Sequence, residues 1–368
     1  MNEIEGLSKL EADPWMGAAP PHDPDRPRWI NDRSGLNPVR VRQVLRPTNL
    51  HELRRIIRRE LANHRSVSIS GGKTSAAGQC FSAESAHIET GMLSRATEID
   101  AERRVVEVEA GMRWTELDRR LAREGVEFDV QGEENATVGG SVASNLFRGR
   151  PVHDLVEKIV LVDPEGTVRT CGPNENRELF DLTLGGFGLV GAIHSVRMRL
   201  PEISPALCSK RFGPEDDSGW IPRSTVDSRM TTVFHFDREL EDLPPSMMEC
   251  LETEGVRGAY TLRRTAGKDQ SFLDWGRGAG TSVELVLDFE LTPLGVSHLR
   301  DQCRDLCTLA QAEGGRMHLG SHRFCGREQL EASHPALESF LTRKLELDPS
   351  CVFQNEWWSD LTGIPERP

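Results

Sequence analysis

The chain has 368 residues, 37% hydrophobic and 28% charged, and its 58 acidic against 45 basic side chains leave a net charge of −13. That length accommodates two domains, and the apolar content supports a folded core, which excludes wholesale disorder. The acidic balance argues against a surface built for nucleic acid or anionic lipid, and no apolar run approaches the roughly 20 residues that cross a bilayer.

Residues 1–44 are rich in Pro, Asp and Arg and are predicted to form an N-terminal arm. The first stretch, MNEIEGLSKLEADPW, is acidic and lacks the charged-then-apolar order of a signal peptide, so a soluble, cytoplasmic protein is expected. Pro47 introduces a helix, with Asn49 and Glu52 spaced as a capping box and Leu50, Leu53, Ile56, Ile57 and Leu61 as its apolar stripe. Strands are predicted over Val67–Ser70, Ala86–Glu89 and Val105–Val108, and a helix over Thr115–Arg123 with Leu117 and Leu121 on one face. Ile159–Val162 and Val168–Thr170 flank Asp163-Pro164-Glu165-Gly166, a hairpin signal. A helix over Glu178–Leu184 and a strand over Ala192–Leu200 follow. Periodicity weakens over 201–281. It returns as a strand over Val283–Leu291, a helix over Leu299–Ala312, a short strand at Met317–Leu319 and a helix over Pro335–Leu347, closed by Asp348-Pro349. The pattern predicts an α+β protein with a domain boundary near 200.

Eight scattered cysteines form no CxxC pair and no diagnostic metal spacing, so they are expected to be buried thiols and no metal is expected. Chemistry is sought instead in four glycine-containing segments. Ser70–Gln79 follows a strand and carries Gly71, Gly72, Lys73, Thr74 and Ser75. Its backbone N–H groups can form an anion nest, or the small residues can serve a tight turn. In Gly132–Asn145, Gly139-Gly140 either admits a planar ligand against the backbone or starts a closely packed helix. Gly186, Gly188 and Gly191 spell GxGxxG, but a helix precedes them and a strand follows, the reverse of a Rossmann fingerprint, which is rejected. Gly314–His322 brings His318 and His322 beside glycines. There is no GxSxG elbow, no HExxH helix and no Walker loop, since Val67 stands where its first Gly belongs.

In this order the segments resemble the flavoprotein family typified by vanillyl-alcohol oxidase and p-cresol methylhydroxylase, and within it the decaprenylphosphoryl-ribose oxidase and alditol oxidase branch. The resembling blocks are Arg46-Pro47-Thr48, Gly71–Gly78, Ile99–Gly111, Ala136–Asn145, Glu178–Ile193, Gly314–His318 and His334–Phe353. The resemblance implies a two-domain PCMH-type FAD-binding fold with a reduced substrate (cap) domain. The divisions it suggests are an arm over 1–44, an FAD-binding domain over 45–200, a cap over 201–315 and a returning segment over 316–368. It implies a diphosphate loop at Gly71, Gly72, Lys73, Thr74 and Ser75, and a flavin turn at Gly132 and Glu133. It further implies a second flavin strand carrying Thr137, Gly139, Gly140, Ala143 and Asn145, an adenine-side loop at Gly188, Gly191 and Ile193, and isoalloxazine neighbours His318 and Gly320.

Departures from the family pattern refine these expectations. Thr74 stands where covalent members carry His, so FAD is expected to be non-covalent. After Asn145 the family's His-Gly is replaced by Leu146-Phe147-Arg148-Gly149, with Phe147 or Arg148 at the His position. Ser321 replaces the sugar-oxidase lysine. The implied activity is that of an FAD-dependent oxidoreductase acting on the CH–OH group of a small sugar- or polyol-like substrate, by hydride transfer to flavin N5. Oxygen or another acceptor would reoxidise it. His322 or His318 is the expected base, with His235 and Arg323 as secondary substrate contacts. The competing expectation is a flavin-binding homologue without redox turnover, serving as a partner or scaffold subunit.

Overall fold

The computed structural model describes residues 27–126, 130, 135–200, 206–213, 227–253, 256–267 and 269–363. β1 (Arg28–Ile30) and β2 (Val39–Val41) form an antiparallel ribbon. β3 (Gln43–Leu45), α1 (Leu50–Ala62), β4 (Val67–Ser70) and β5 (Ala86–Glu89) follow, with β5 parallel to both β3 and β4 and lying between them. Residues 28–44 are therefore more than the expected arm, because Gln43 already sits in the first sheet. Asn49 caps α1 by accepting from Glu52 N at 3.0 Å, as predicted. The Glu52 carboxylate accepts from Thr48 N at 2.8 Å, one residue further back than a capping box requires. Leu53, Ile56 and Ile57 bury the helix face against Val67, Ile88, Val162, Ala192 and Phe353. Each such side chain contributes ~1.5–3 kcal/mol of burial.

Val162 and Ala192 belong to a second sheet, so α1 packs both sheets into one domain. That sheet comprises β6 (Ala96–Asp100), β7 (Val105–Glu109), β8 (Val156–Val162), β9 (Val168–Cys171) and β10 (Ala192–Arg199), in the antiparallel order β6-β7-β10-β8-β9. The predicted hairpin is held by Asp163, whose Oδ1 accepts from Glu165 N at 3.0 Å and Thr167 N at 2.8 Å. α2 (Trp114–Arg123), α3 (Val138–Ser144) and α4 (Arg177–Thr183) contribute Trp114, Leu117, Val142 and Phe180 to the core shared with Val108, Ile159 and Val196.

Strands occur among the described residues of 201–281, where periodicity weakens, and join strands that overlap those predicted at Val283–Leu291 and Met317–Leu319 in one antiparallel sheet. β11 (Cys208–Phe212), β12 (Asp227–Phe236), β13 (Arg257–Thr265), β14 (Gly280–Glu290) and β15 (Gly315–Met317) take the order β11-β13-β14-β12-β15. One face packs Phe234, Phe236, Leu262, Val283 and Leu285 into a core shared with α5 (Pro245–Thr253), α6 (Pro293–Ala312), α7 (Arg327–Ser333) and α8 (Leu337–Leu347). The opposite face is polar, so the segments alternate at period two and show no apolar run. α6 begins six residues before its predicted start, because Thr292 accepts from Gly295 N at 3.1 Å and Pro293 occupies the first turn. The boundary expected at 315/316 falls inside this sheet, and Leu330, Leu337 and Phe340 keep the chain in the cap core. The cysteines are all free thiols, but Cys80, Cys208 and Cys250 are only half-buried. No helix among the described residues is long and apolar enough to cross a membrane.

The return to the first domain begins at Asp348. Its carboxylate accepts from Lys344 Nζ at 2.9 Å, Val352 N at 2.8 Å and Phe353 N at 2.9 Å, and both charged side chains are fully buried. Lys344 also sits 4.6 Å over the Trp358 ring, just inside α9 (Glu356–Thr362). The turn hands Val352 and Gln354 to β4, through Val67 N to Val352 O at 2.6 Å and Gln354 N to Val67 O at 3.0 Å. Lys344→Met strands a buried carboxylate and is expected to destabilise folding by about 3–5 kcal/mol, read from the shift of the denaturant midpoint at constant slope.

Candidate cofactor and substrate site

A cleft lies between the first domain and the polar face of the cap sheet. It holds about 1560 Å³ of empty space, open side included. Of the residues singled out from the sequence, Gly71, Gly72, Lys73, Thr74, Ser75, Thr137, Gly139, Gly140, Ala143, Gly188, Gly191, Ile193, His318 and Gly320 line it. Gly132 and Glu133 lie outside the described residues. Asn145 and His322 are buried elsewhere, and Phe147 packs on Trp114 with ring centroids 4.3 Å apart.

The floor is made where two loops touch. A Cβ on Gly71 would lie 2.1 Å from Thr137 Oγ1, and one on Gly72 would lie 1.8 Å from Asn135 O, so only glycine allows the contact. β4 delivers this loop through an ordered chain of hydrogen bonds. Ser85 Oγ donates to Ser82 O at 2.7 Å and therefore accepts from Ser68 Oγ at 2.7 Å. Ser68 then accepts from His87 Nδ1 at 2.9 Å, leaving Nε2 to accept from Ser70 Oγ at 2.8 Å. Burial, aided by the Lys73 charge, pushes His87 down to about 3, which keeps the neutral ring this chain needs. Lys73 turns through the left-handed region (φ 56°), and its ammonium pairs with Glu89 Oε1 at 2.5 Å.

Among the described residues no protein acceptor meets the backbone N–H groups of Gly72 through Ala76. A row of adjacent donors at the foot of a cleft fits an anionic diphosphate. The expected second flavin strand is instead α3, capped by Thr137, which accepts from Gly140 N at 3.2 Å. Its two glycines divide the roles considered above. A Cβ on Gly139 would lie 2.5 Å from Ala110 Cβ, which makes this a packing glycine. Gly140 faces the open cleft, where a Cβ would meet only Thr137 Oγ1 at 3.1 Å. The GxGxxG segment sits between α4 and β10, helix before strand, as its rejection as a Rossmann motif requires.

Asn145 joins the two domains and does not contact the cleft. As the left-handed cap of α3 it donates to Asp269 Oδ2 at 2.9 Å and Ser271 Oγ at 3.1 Å. It accepts from Val152 N and His153 N, each at 3.0 Å, and its carbonyl accepts from Trp275 Nε1 at 3.0 Å. The two expected bases are also placed against that role. His318 lines the cleft, but Nε2 donates to Ser144 O at 2.7 Å and Nδ1 accepts from Gly320 N at 3.1 Å. Trp275 lies 5.1 Å from its ring, and burial lowers it to about 4, so it is a fixed neutral wall. His322 lies behind the cleft, stacked on Phe324 and also lowered to about 4 by burial. His235 is committed to Gly278 O at 2.8 Å and Asp237 Oδ1 at 3.0 Å, and Arg323 to Asp360 Oδ2 at 2.6 Å.

The roof supplies what the sequence reading missed. Arg229, Thr231 and Val233 of β12 and Glu284 of β14 face the cleft, beside Ser321. Val233 and Glu284 are register partners. Ser321 Oγ accepts from Val233 N at 3.0 Å and keeps its proton available to a ligand. Arg229 donates to Asp288 Oδ1 at 2.9 Å. The Glu284 carboxylate has no hydrogen-bond partner among the described residues, and burial raises it above the usual carboxylate range despite the nearby Arg263 and Arg148. Only the strand register, absent from local spacing, brings this acid to the cleft.

The architecture is a mixed α/β fold that superimposes on a variant of BBE-like 1 from Physcomitrella patens with a TM-score of 0.66, over 88% of this chain and 92% of that one, at 12% identity. Residues 41–172 match the family described as FAD binding domain. The chain is also similar to L-gulonolactone oxidase of Mus musculus, 26% identical over 158 residues, which are 42% of this chain and 36% of that protein. It is 27% identical over 267 residues to D-lactate dehydrogenase of Archaeoglobus fulgidus, covering 68% of this chain and 56% of that protein. The chain thus spans between a third and somewhat over half of these relatives' lengths.

Two outcomes follow from this geometry. Gly140→Val is expected to abolish FAD retention while leaving the melting transition cooperative; a variant that purifies with undiminished flavin absorbance would place the ligand elsewhere. The second concerns acid. Burial holds His318, His322 and His334 at about 4 and His87 at about 3, below the unfolded value of about 6.5. The unfolded chain therefore takes up protons that the folded chain refuses. Stability is expected to be full above that unfolded value and to fall as pH drops towards 4, as denaturant titrations at successive pH values would record.

Proposed function

We propose that the chain is an FAD-dependent oxidoreductase that binds FAD non-covalently and oxidises a CH–OH group of a small sugar- or polyol-like molecule. One observation carries this reading: a nest of unmatched N–H donors and a desolvated, unpartnered carboxylate face the same cleft. The residues fit the cofactor's parts. Gly72–Ala76 would hold the diphosphate, Gly188, Gly191 and Ile193 the adenine side, and the wall of His318, Gly320 and Phe187 the ring system. Bound there, FAD supplies the two-electron acceptor for a C–H hydride.

The chain's own residues supply the rest. Glu284 takes the hydroxyl proton of the substrate as its carbon gives up hydride, and desolvation brings its basicity closer to that task. Thr231 and Ser321 offer hydroxyls to the neighbouring oxygens of a polyhydroxylated molecule. The names of the matched relatives, an oxidase of L-gulonolactone and a dehydrogenase of D-lactate, agree with a hydroxyl-bearing donor. Thr74 lacks a ring nitrogen for a covalent link, so acid precipitation should release intact FAD into the supernatant.

Anaerobic bleaching of the flavin spectrum by a panel of sugars, polyols and hydroxy acids tests the reading. Glu284→Gln is expected to lower the reduction rate by roughly 10²–10⁴-fold with the oxidised spectrum unchanged. The base must be ionised, so in the wild type kcat/KM should fall as pH drops through the raised Glu284 value, above the ordinary glutamate value of about 4.3. Bound flavin that no hydroxyl compound reduces would favour the partner or scaffold reading.

A further inference from the structure

The segment 31–37 lies across the cleft and touches both of its sides. It is closed by its own side chains. Asn31 Oδ1 accepts from Asp32 N at 2.9 Å and Asn37 N at 3.1 Å, and Asn31 Nδ2 donates to Gly35 O at 2.9 Å, where φ is +75°. Asp32 accepts from Ser34 Oγ at 2.6 Å and Asn37 Nδ2 at 2.8 Å. Bonds to both sides of the cleft fasten the segment outward. Arg33 N donates to Lys73 O at 3.0 Å and Asn37 Nδ2 to Ala76 O at 3.1 Å, both on the diphosphate loop. Ser228 Oγ donates from the cap sheet to Ser34 O at 3.0 Å.

This strap carries one cation into the cleft. Arg33 lines it together with Lys73, Thr74 and Ser75, and its side chain is exposed. Among the described residues the Arg33 guanidinium makes no hydrogen bond or ion pair. The other cations lining the cleft are committed: Lys73 to Glu89 and Arg229 to Asp288. A diphosphate brings negative charge that backbone dipoles only partly offset, and a guanidinium matches its oxygens in a two-pronged geometry.

We propose that Arg33 is a binding residue for the diphosphate of the cofactor, held over the Gly72–Ala76 nest by the strap and supplying the charge that Lys73 has given to Glu89. The inference rests on the FAD reading above and adds a contact from the N-terminal segment, outside the glycine loops.

The test is a fluorescence titration of the full chain, stripped of flavin, with FAD in the absence of substrate. Arg33→Ala is expected to weaken FAD binding roughly tenfold, Arg33→Lys to restore part of the loss and Arg33→Glu to weaken it further. Added salt should weaken the wild type more steeply than Arg33→Ala. Equal FAD affinity and equal salt dependence in wild type and Arg33→Ala would overturn the proposal alone, including the case in which Arg33→Ala impairs only an anionic substrate. A wild-type chain that takes up no FAD would overturn both readings.

Discussion

Everything in the cleft depends on a contact with no room for a side chain. The backbone at Gly71 and Gly72 presses on Thr137 and Asn135 so closely that a single methyl group would fall within 2.1 Å and 1.8 Å of an oxygen. This contact fixes the first turn of α3 against the loop that leaves β4, and both then face the same opening. The serine–histidine chain beneath it has a definite direction, because each hydroxyl has one donor role left once Ser85 gives its proton to Ser82. Among the described residues no protein acceptor takes up the amides of Gly72 through Ala76 that this contact sets at the floor.

How far the sequence revealed this depended on the range of the interactions. Elements set by neighbours were legible. Asn49 and its apolar stripe placed α1, Asp163 placed the β8–β9 hairpin, and the helix-then-strand order excluded a Rossmann reading of Gly186–Gly191. Elements set by distant partners were not. The cap strands alternate between a packed face and a polar face, and without their register Glu284 is one more acid among 58. Asn145 stood at a family position beside the flavin, yet its left-handed cap conformation turns the amide toward Asp269. The two histidines in the glycine segment near 320 were visible as residues, but the sequence could not show that Ser144 O and Gly320 N already occupy His318, or that His322 faces away.

The electrostatics of the cleft differ from those of the whole chain. A net charge of −13 gives no hint of a site that takes anions. The floor solves this with oriented backbone dipoles, which carry no net charge, and pairs its lysine with Glu89. The roof pairs Arg229 with Asp288 and holds Glu284 with no hydrogen-bond partner among the described residues. Under the proposed function, the floor would take the charged diphosphate and the roof the group that loses a proton.

The fastenings between floor and roof have a consequence for molecular traffic. Asn145 to Asp269, Trp275 to the Asn145 carbonyl, His318 to the Ser144 carbonyl and Ser228 to Ser34 all bridge the two sides, the first three clustered at the end of α3 and the last on the 31–37 segment. Parting the halves at the end of α3 would break the first three together, two of them between buried groups. Any opening of the cleft is therefore limited on that side by groups the two domains share.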